Sequence, residues 1–220
     1  MTRGIFIAGN ESALCRAIET ETSNRVDKYA AALITNRLSA AQRNTSSEKG
    51  RIPLDWNPSS PISARTLALA AQNRLENIDT AILICSPPSV RSSAADIPLS
   101  DIEIMINDQI KGWYFLVKEI AVIFSARKHG TLALVYSDFT GSGKDDVADV
   151  LGPSALASFR ALTHGLLSVA HNEPYVTMGF STSDAGNEAA FAAFIYKSLD
   201  DITKRSNGKL HKYGRFSFFK

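Results

Sequence analysis

The first residues with an evident chemical use are Gly9, Asn10, Glu11 and Ser12, which follow the apolar run GIFIA and precede a segment of helical period. A strand that turns on glycine into a helix N-terminus offers backbone N–H groups to an anion, and glycine lets a phosphate come close without meeting a Cβ. Nucleotide binding is the chemistry this arrangement suggests. GSGKDD, from Gly141 to Asp146, has some features of a phosphate loop. However, Asp138 stands where its first glycine is needed, and Asp145 where Ser or Thr would hold magnesium. His129, His164, His171 and His211 are scattered, with no HxxxH pair and no suitably spaced carboxylate, so no metal site is expected. Cys15 and Cys85 fall in separate elements and read as two buried free thiols. The basic and aromatic residues from Lys204 to Phe216 are explained by a helix end followed by an edge strand, without a nucleic-acid partner. The closing YGRFSFFK is expected to pack on the body or in a subunit interface.

These residues need elements to hold them. Strand-length apolar runs alternate with helical segments, the pattern of a parallel sheet covered by helices on both faces. The expected fold is α/β, a Rossmann-type doubly wound parallel sheet of about seven strands. Strands are read at GIFIA, AALIT, IPLD, TAILIC, TLALVY, YVTMG and GKLHKYG. Helices are read over 12–22, 62–75, 100–127, 153–171 and 184–204, with right-handed crossovers throughout. Ser100 with Glu103 reads as a capping box, and Pro153 suits a first helical turn. The 220 residues, 45% of them hydrophobic, are expected to form one domain over 1–220. A formal net charge of +2 gives no broad field for nucleic acid or an anionic membrane. No apolar run approaches the roughly 20 residues of a membrane span, and the first strand follows Met1 almost at once, so a cytoplasmic protein is expected.

The order of elements, with several short motifs, resembles the short-chain dehydrogenase/reductase family over nearly the whole chain. IFIAGNESALCRAIE sits where that family has a strand, TGxxxGxG and a helix. Ala8 and Gly9 fall on TG, and Ala13 and Cys15 on the second and third glycines. LDW at 54–56 resembles the short third strand, and CSPPS from Cys85 replaces the NNAG turn after the fourth. Gln109 takes the Asn position of NxxGxF, and Ser137, ending TLALVYS, takes the catalytic serine position. LASFRALTHGLLSVA reads against the YxxxK helix, with Ala155 at the tyrosine and Phe159 at the lysine.

The resemblance implies a cofactor site at Gly9, Asn10, Ser12, Leu14, Arg37, Asp55, Trp56 and Ser86. Asp55 is in place for adenine, and Arg37 lies where NADP-preferring members hold the 2′-phosphate, so NADP is expected over NAD if a nucleotide binds at all. Of the catalytic positions only Ser137 survives, and the literal YxxxK at Tyr114–Lys118 lies in the preceding helix and is read as structural. The usual proton donor and its lysine are missing, two of three glycines are lost, and the link from Met178 to the last helix leaves no length for a substrate lid. The expected function is therefore a reductase-like Rossmann protein without ordinary reductase activity, with weak or no NAD(P) binding and a role in association or sensing. The alternative is an atypical NADP-dependent oxidoreductase whose acid is Ser137, Asp138, His164 or Tyr175. The family's oligomers further imply a homodimer or tetramer through the helices starting at Ser100 and Pro153.

Overall fold

A computed structural model describes residues 3–25, 29–35, 51–138, 149–184 and 186–214, with the main chain alone for 29–35, 51–53 and 204. Arg37, the GSGKDD run and the segment from Arg215 onward lie outside the described residues.

The strands are β1 (Arg3–Gly9), β2 (Tyr29–Thr35), β3 (Arg51–Leu54), β4 (Thr80–Cys85), β5 (Thr131–Ser137), β6 (Val176–Thr182) and β7 (Lys209–Tyr213). They form one sheet in the order β3-β2-β1-β4-β5-β6-β7, every pair parallel. The helices are α1 (Ala13–Ser23), α2 (Pro61–Leu75), α3 (Leu99–Ile104), α4 (Gly112–Arg127), α5 (Leu151–Val169) and α6 (Glu188–Asp200). Successive side chains of a strand point to opposite faces. Phe6, Leu83, Leu134 and Tyr136 therefore join the core under α2, α4 and α5, while Ile7, Ile84, Val135 and Phe180 join the core under α1 and α6. The inner strands are buried on both faces, as a covered parallel sheet requires. No helix among the described residues is long and apolar enough to cross a membrane.

Several boundaries differ from the sequence reading for identifiable reasons. Ser100 does not cap. The helix begins at Leu99 after Pro98, which is extended (φ −60°, ψ 136°), and makes no side-chain cap bond, so Ser100 already lies inside the first turn. The helix read as continuous over 100–127 contains a π-helical turn, Met105–Lys111, whose wide register turns Met105 and Gln109 inward. α5 starts at Leu151 rather than Pro153, because Asp149 Oδ1 accepts the Gly152 N–H at 2.9 Å and caps the helix earlier. α6 starts at Glu188 rather than Asp184, after Gly186 takes a left-handed φ of 76°. Only residues 183–187 link β6 to α6.

The crossovers are not uniform in hand. α5 carries the chain from β5 to β6 on one face, but α6 carries it onward in the same direction to β7 on the other face, beside α1. The β6–α6–β7 unit is thus opposite in hand to its neighbours. Burial accounts for the exception. With α4 and α5 on one face, only α6 can cover Ile82, Val135 and Phe180 on the other, and it does so with Phe191, Ile195 and Leu199. Each such side chain contributes about 1.5–3 kcal/mol when buried.

Candidate functional site

The order of strands reverses between β1 and β4, and open α/β sheets bind their ligands in the crevice beyond the strand ends at such a point. Gly9 and Asn10 form one lip. Gly9 is fixed by the protein's own packing, since a Cβ there would meet Cys15 Sγ and Ile84 Cβ, each at 3.1 Å. The Cys15 thiol fills the space where α1 closes on the strand, and burial, with the Glu19 carboxylate, pushes its pKa far up. Ser12 is the N-cap of α1, its Oγ accepting the Cys15 N–H at 3.1 Å, so one of the N–H groups available to an anion is already used. Glu11, at the same turn, is exposed and meets Arg16 at 3.5 Å, too exposed a pair to hold firmly. The Leu14 side chain is in the core and leaves only its main chain for a ligand.

Asn10 also closes the gap to the other lip. Its side-chain N–H₂ donates to Gln109 Oε1 at 2.7 Å and to the Ser86 carbonyl at 3.3 Å. The half-buried Ser86 follows β4, and Gln109 sits on the π-helical turn with only 4% of its surface exposed. At the β3 end Asp55 faces solvent, while Trp56 turns inward and packs on Trp113 with ring centroids 5.7 Å apart.

On the face of the sheet covered by α4 and α5, apolar side chains pack around Phe159. Phe159, at 1% exposure, lies edge-on to Trp113 at 5.3 Å and to Tyr136 at 6.3 Å. Ala155 is fully buried, and the face of α5 that carries it packs on the π-helical turn. Tyr136, missed by sequence reasoning, is the last residue but one of β5. It is fully buried, and burial together with the Asp138 carboxylate holds its pKa above the ordinary tyrosine value. It is thus a poor proton donor and out of reach of a substrate. Ser137 ends β5 half-buried, and its neighbour Asp138 faces the Arg160 guanidinium at 3.5 Å. Of the other acids considered, His164 is exposed on α5, and Tyr175 precedes β6 at the opposite end of the sheet, packed on Phe124. Tyr114 and Lys118 are exposed on α4, and Lys118 Nζ lies 3.3 Å from Glu119. Among the described residues no group of three or more His, Cys, Asp or Glu is placed to hold a metal.

With this geometry the chain superimposes on several solved structures over almost its full length. ElxO with NADP bound matches with a TM-score of 0.75 at 12% identity, covering 96% of this chain and 97% of that one. A short-chain dehydrogenase from Bacillus anthracis gives 0.75 at 13% identity, covering 96% and 94%. A putative 3-oxoacyl-reductase from Bacillus thuringiensis gives 0.70 at 14% identity, covering 96% of each chain. The chain has the short-chain dehydrogenase/reductase fold. At these identities the likeness is one of architecture, and no family model and no curated protein matches the sequence. Within the short-chain dehydrogenase/reductase fold, the motif register brings Gly9, Asn10, Ser12, Ser86 and Gln109 to one crevice, with Asp55 at the neighbouring strand end and Ser137 beyond β4. It places Leu14, Trp56, Ala155 and Phe159 inside the protein. Trp113 and Tyr136, which enclose Phe159, carry no motif signal; their aromatic type beside a phenylalanine in the lysine position was the available clue.

Proposed function

We propose that this chain is a reductase-fold protein that does not perform reductase chemistry, binds NADP weakly at most, and acts through association. The observation that carries this reading is Phe159, which the motif register aligns with the family's lysine, packed between Trp113 and Tyr136. A benzyl side chain can neither lower the pKa of a neighbouring acid nor hold a ribose. Of the family's catalytic positions the motif register leaves only Ser137 polar, and an aliphatic hydroxyl is by itself too weak an acid to supply a proton at neutral pH.

Association is supported by the distribution of exposed apolar surface. Among the described residues, the exposed large apolar side chains, from Ile62 and Leu69 on α2 through Tyr114 and Val122 on α4 to Val169 on α5, lie on the side of α2, α4 and α5. α1 and α6 carry none of them. A groove of about 320 Å³ between α2 and α4, lined by Arg65, Leu69, Lys118 and Val122 among others, lies on the same side. One-sided exposure of this kind supports an interface on that side. A homodimer or tetramer would use the helices that start at Leu99 and Leu151.

The test combines two measurements on one preparation. Thermal-shift titration with millimolar NADPH and NADH should give a small shift or none, since stabilisation follows RT ln(1 + [L]/Kd). A carbonyl panel should give no NADPH oxidation. Light scattering should find an oligomer that Val122→Glu dissociates. Tight NADPH binding with turnover would contradict the reading, and a monomer at high concentration would remove its association half.

A further inference from the structure

We infer that Asn10 and Gln109 form a latch across the crevice between β1 and β4, and that a dinucleotide enters only by breaking it. This rests on the reading above that the crevice retains weak affinity for NADP.

β1 and β4 are parallel neighbours, with Gly9 beside Ile84, and the chain leaves them on opposite faces, so the crevice opens between Asn10 and Ser86. A molecule lying from the β1 end to the β4 and β5 ends has to cross that line. The Asn10 amide already occupies it, bonded to Gln109 Oε1 at 2.7 Å and to the Ser86 carbonyl at 3.3 Å. Two features make the contact more than a surface bond. Gln109 is almost wholly shielded from water, so its oxygen has no solvent to turn to when Asn10 is drawn away, and a buried acceptor left unpaired is costly. Gln109 also sits in the π-helical turn, against which α5 packs, so its arm is anchored by the fold on its far side. π-helical turns are rare and tend to occur at functional positions. Here the turn presents an amide one methylene longer than asparagine to the opposite lip.

The latch therefore makes nucleotide affinity lower than the crevice alone would give. Losing one neutral hydrogen bond corresponds to about a 5-fold change in affinity, and stranding Gln109 adds to it.

The experiment measures NADPH affinity by nucleotide fluorescence and by calorimetry for the wild type, Asn10→Ala, Gln109→Asn and the double variant. Gln109→Asn keeps the amide and shortens the arm, so it opens the bond without emptying the space. A melting temperature and far-UV spectrum close to wild type show that each variant is folded. Each single variant should bind NADPH at least about 5-fold more tightly, and the double variant no more tightly than the better single, because both remove the same Asn10–Gln109 bond. Folded variants that bind NADPH no better than the wild type would overturn the latch. So would binding that none of the four proteins shows at millimolar NADPH, or wild-type binding already as tight as that of the variants. None of these outcomes depends on turnover. Failure of the non-catalytic reading appears separately, as NADPH oxidation.

Discussion

Replacing Phe159 discriminates between a filled core and an open site. Its ring is 1% exposed and is gripped edge-on by Trp113 and Tyr136, and its carbonyl accepts the Thr163 hydroxyl at 2.8 Å. Truncation to alanine should cost about 3–5 kcal/mol, the range for a buried phenylalanine whose surroundings relax only partly. For a chain of this size each kcal/mol lowers the melting temperature by about 2–4 °C, so Phe159→Ala should melt about 6–20 °C below the wild type. Phe159→Lys is the sharper test. It would place an ammonium between the Trp113 indole and the Tyr136 phenol, with Asp138 already facing Arg160, and it should be at least as damaging as alanine. Calorimetric scans and urea unfolding would read both variants. A loss under about 1 kcal/mol for alanine, or a lysine variant as stable as the wild type, would refute the argument, because only a position open to a water-filled cleft tolerates those changes.

Three further outcomes follow from local chemistry. His211 stacks on Phe180 with its Nε2 buried and unbonded, and burial together with Lys209 lowers its pKa. Stability should therefore be full above pH ~6.5 and fall as the pH drops from there through the lowered folded value, and His211→Gln should flatten that part of the Tm profile. The two thiols should be silent to Ellman's reagent at pH ~8 in the folded protein and react on denaturation, since burial, slightly offset by the Trp113 indole, pushes Cys85 up to about 12 and drives Cys15 higher still. Fast native-state reaction of either would show that its burial is misread. Gly4→Ala should destabilise by about 2–3 kcal/mol, because its Cβ would lie 1.9 Å from the Asn77 carbonyl oxygen; near-neutral unfolding data would show that the β1 backbone can shift away.

Much of this protein is legible in its sequence, for a definite reason. Strands buried on both faces read as unbroken apolar runs, and TAILIC and TLALVY each became a strand within that run. Motif register was equally informative at the β1 turn, where Gly9 and Ser12 took a strand end and a helix cap. Features decided by distant partners were not legible. The π-helical turn reflects what Gln109 meets 99 residues away at Asn10, and nothing within 105–111 announces it. The hand of the β6–α6–β7 unit depends on which face the other helices leave bare. Glu103 gave Ser100 the spacing of a capping box, but Pro98 moved the helix start. At the candidate site the motif register put Ala155 and Phe159 at the tyrosine and lysine positions. Enclosure of Phe159 by Trp113 and Tyr136 required the fold.

The most direct measurement is single-turnover absorbance of NADPH, at protein concentrations above that of the nucleotide, with a panel of aldehydes and ketones. The account predicts no consumption of NADPH beyond the protein-free blank, in the wild type and in Ser137→Ala alike. Consumption by the wild type that Ser137→Ala abolishes would contradict it, and would show that this crevice transfers hydride.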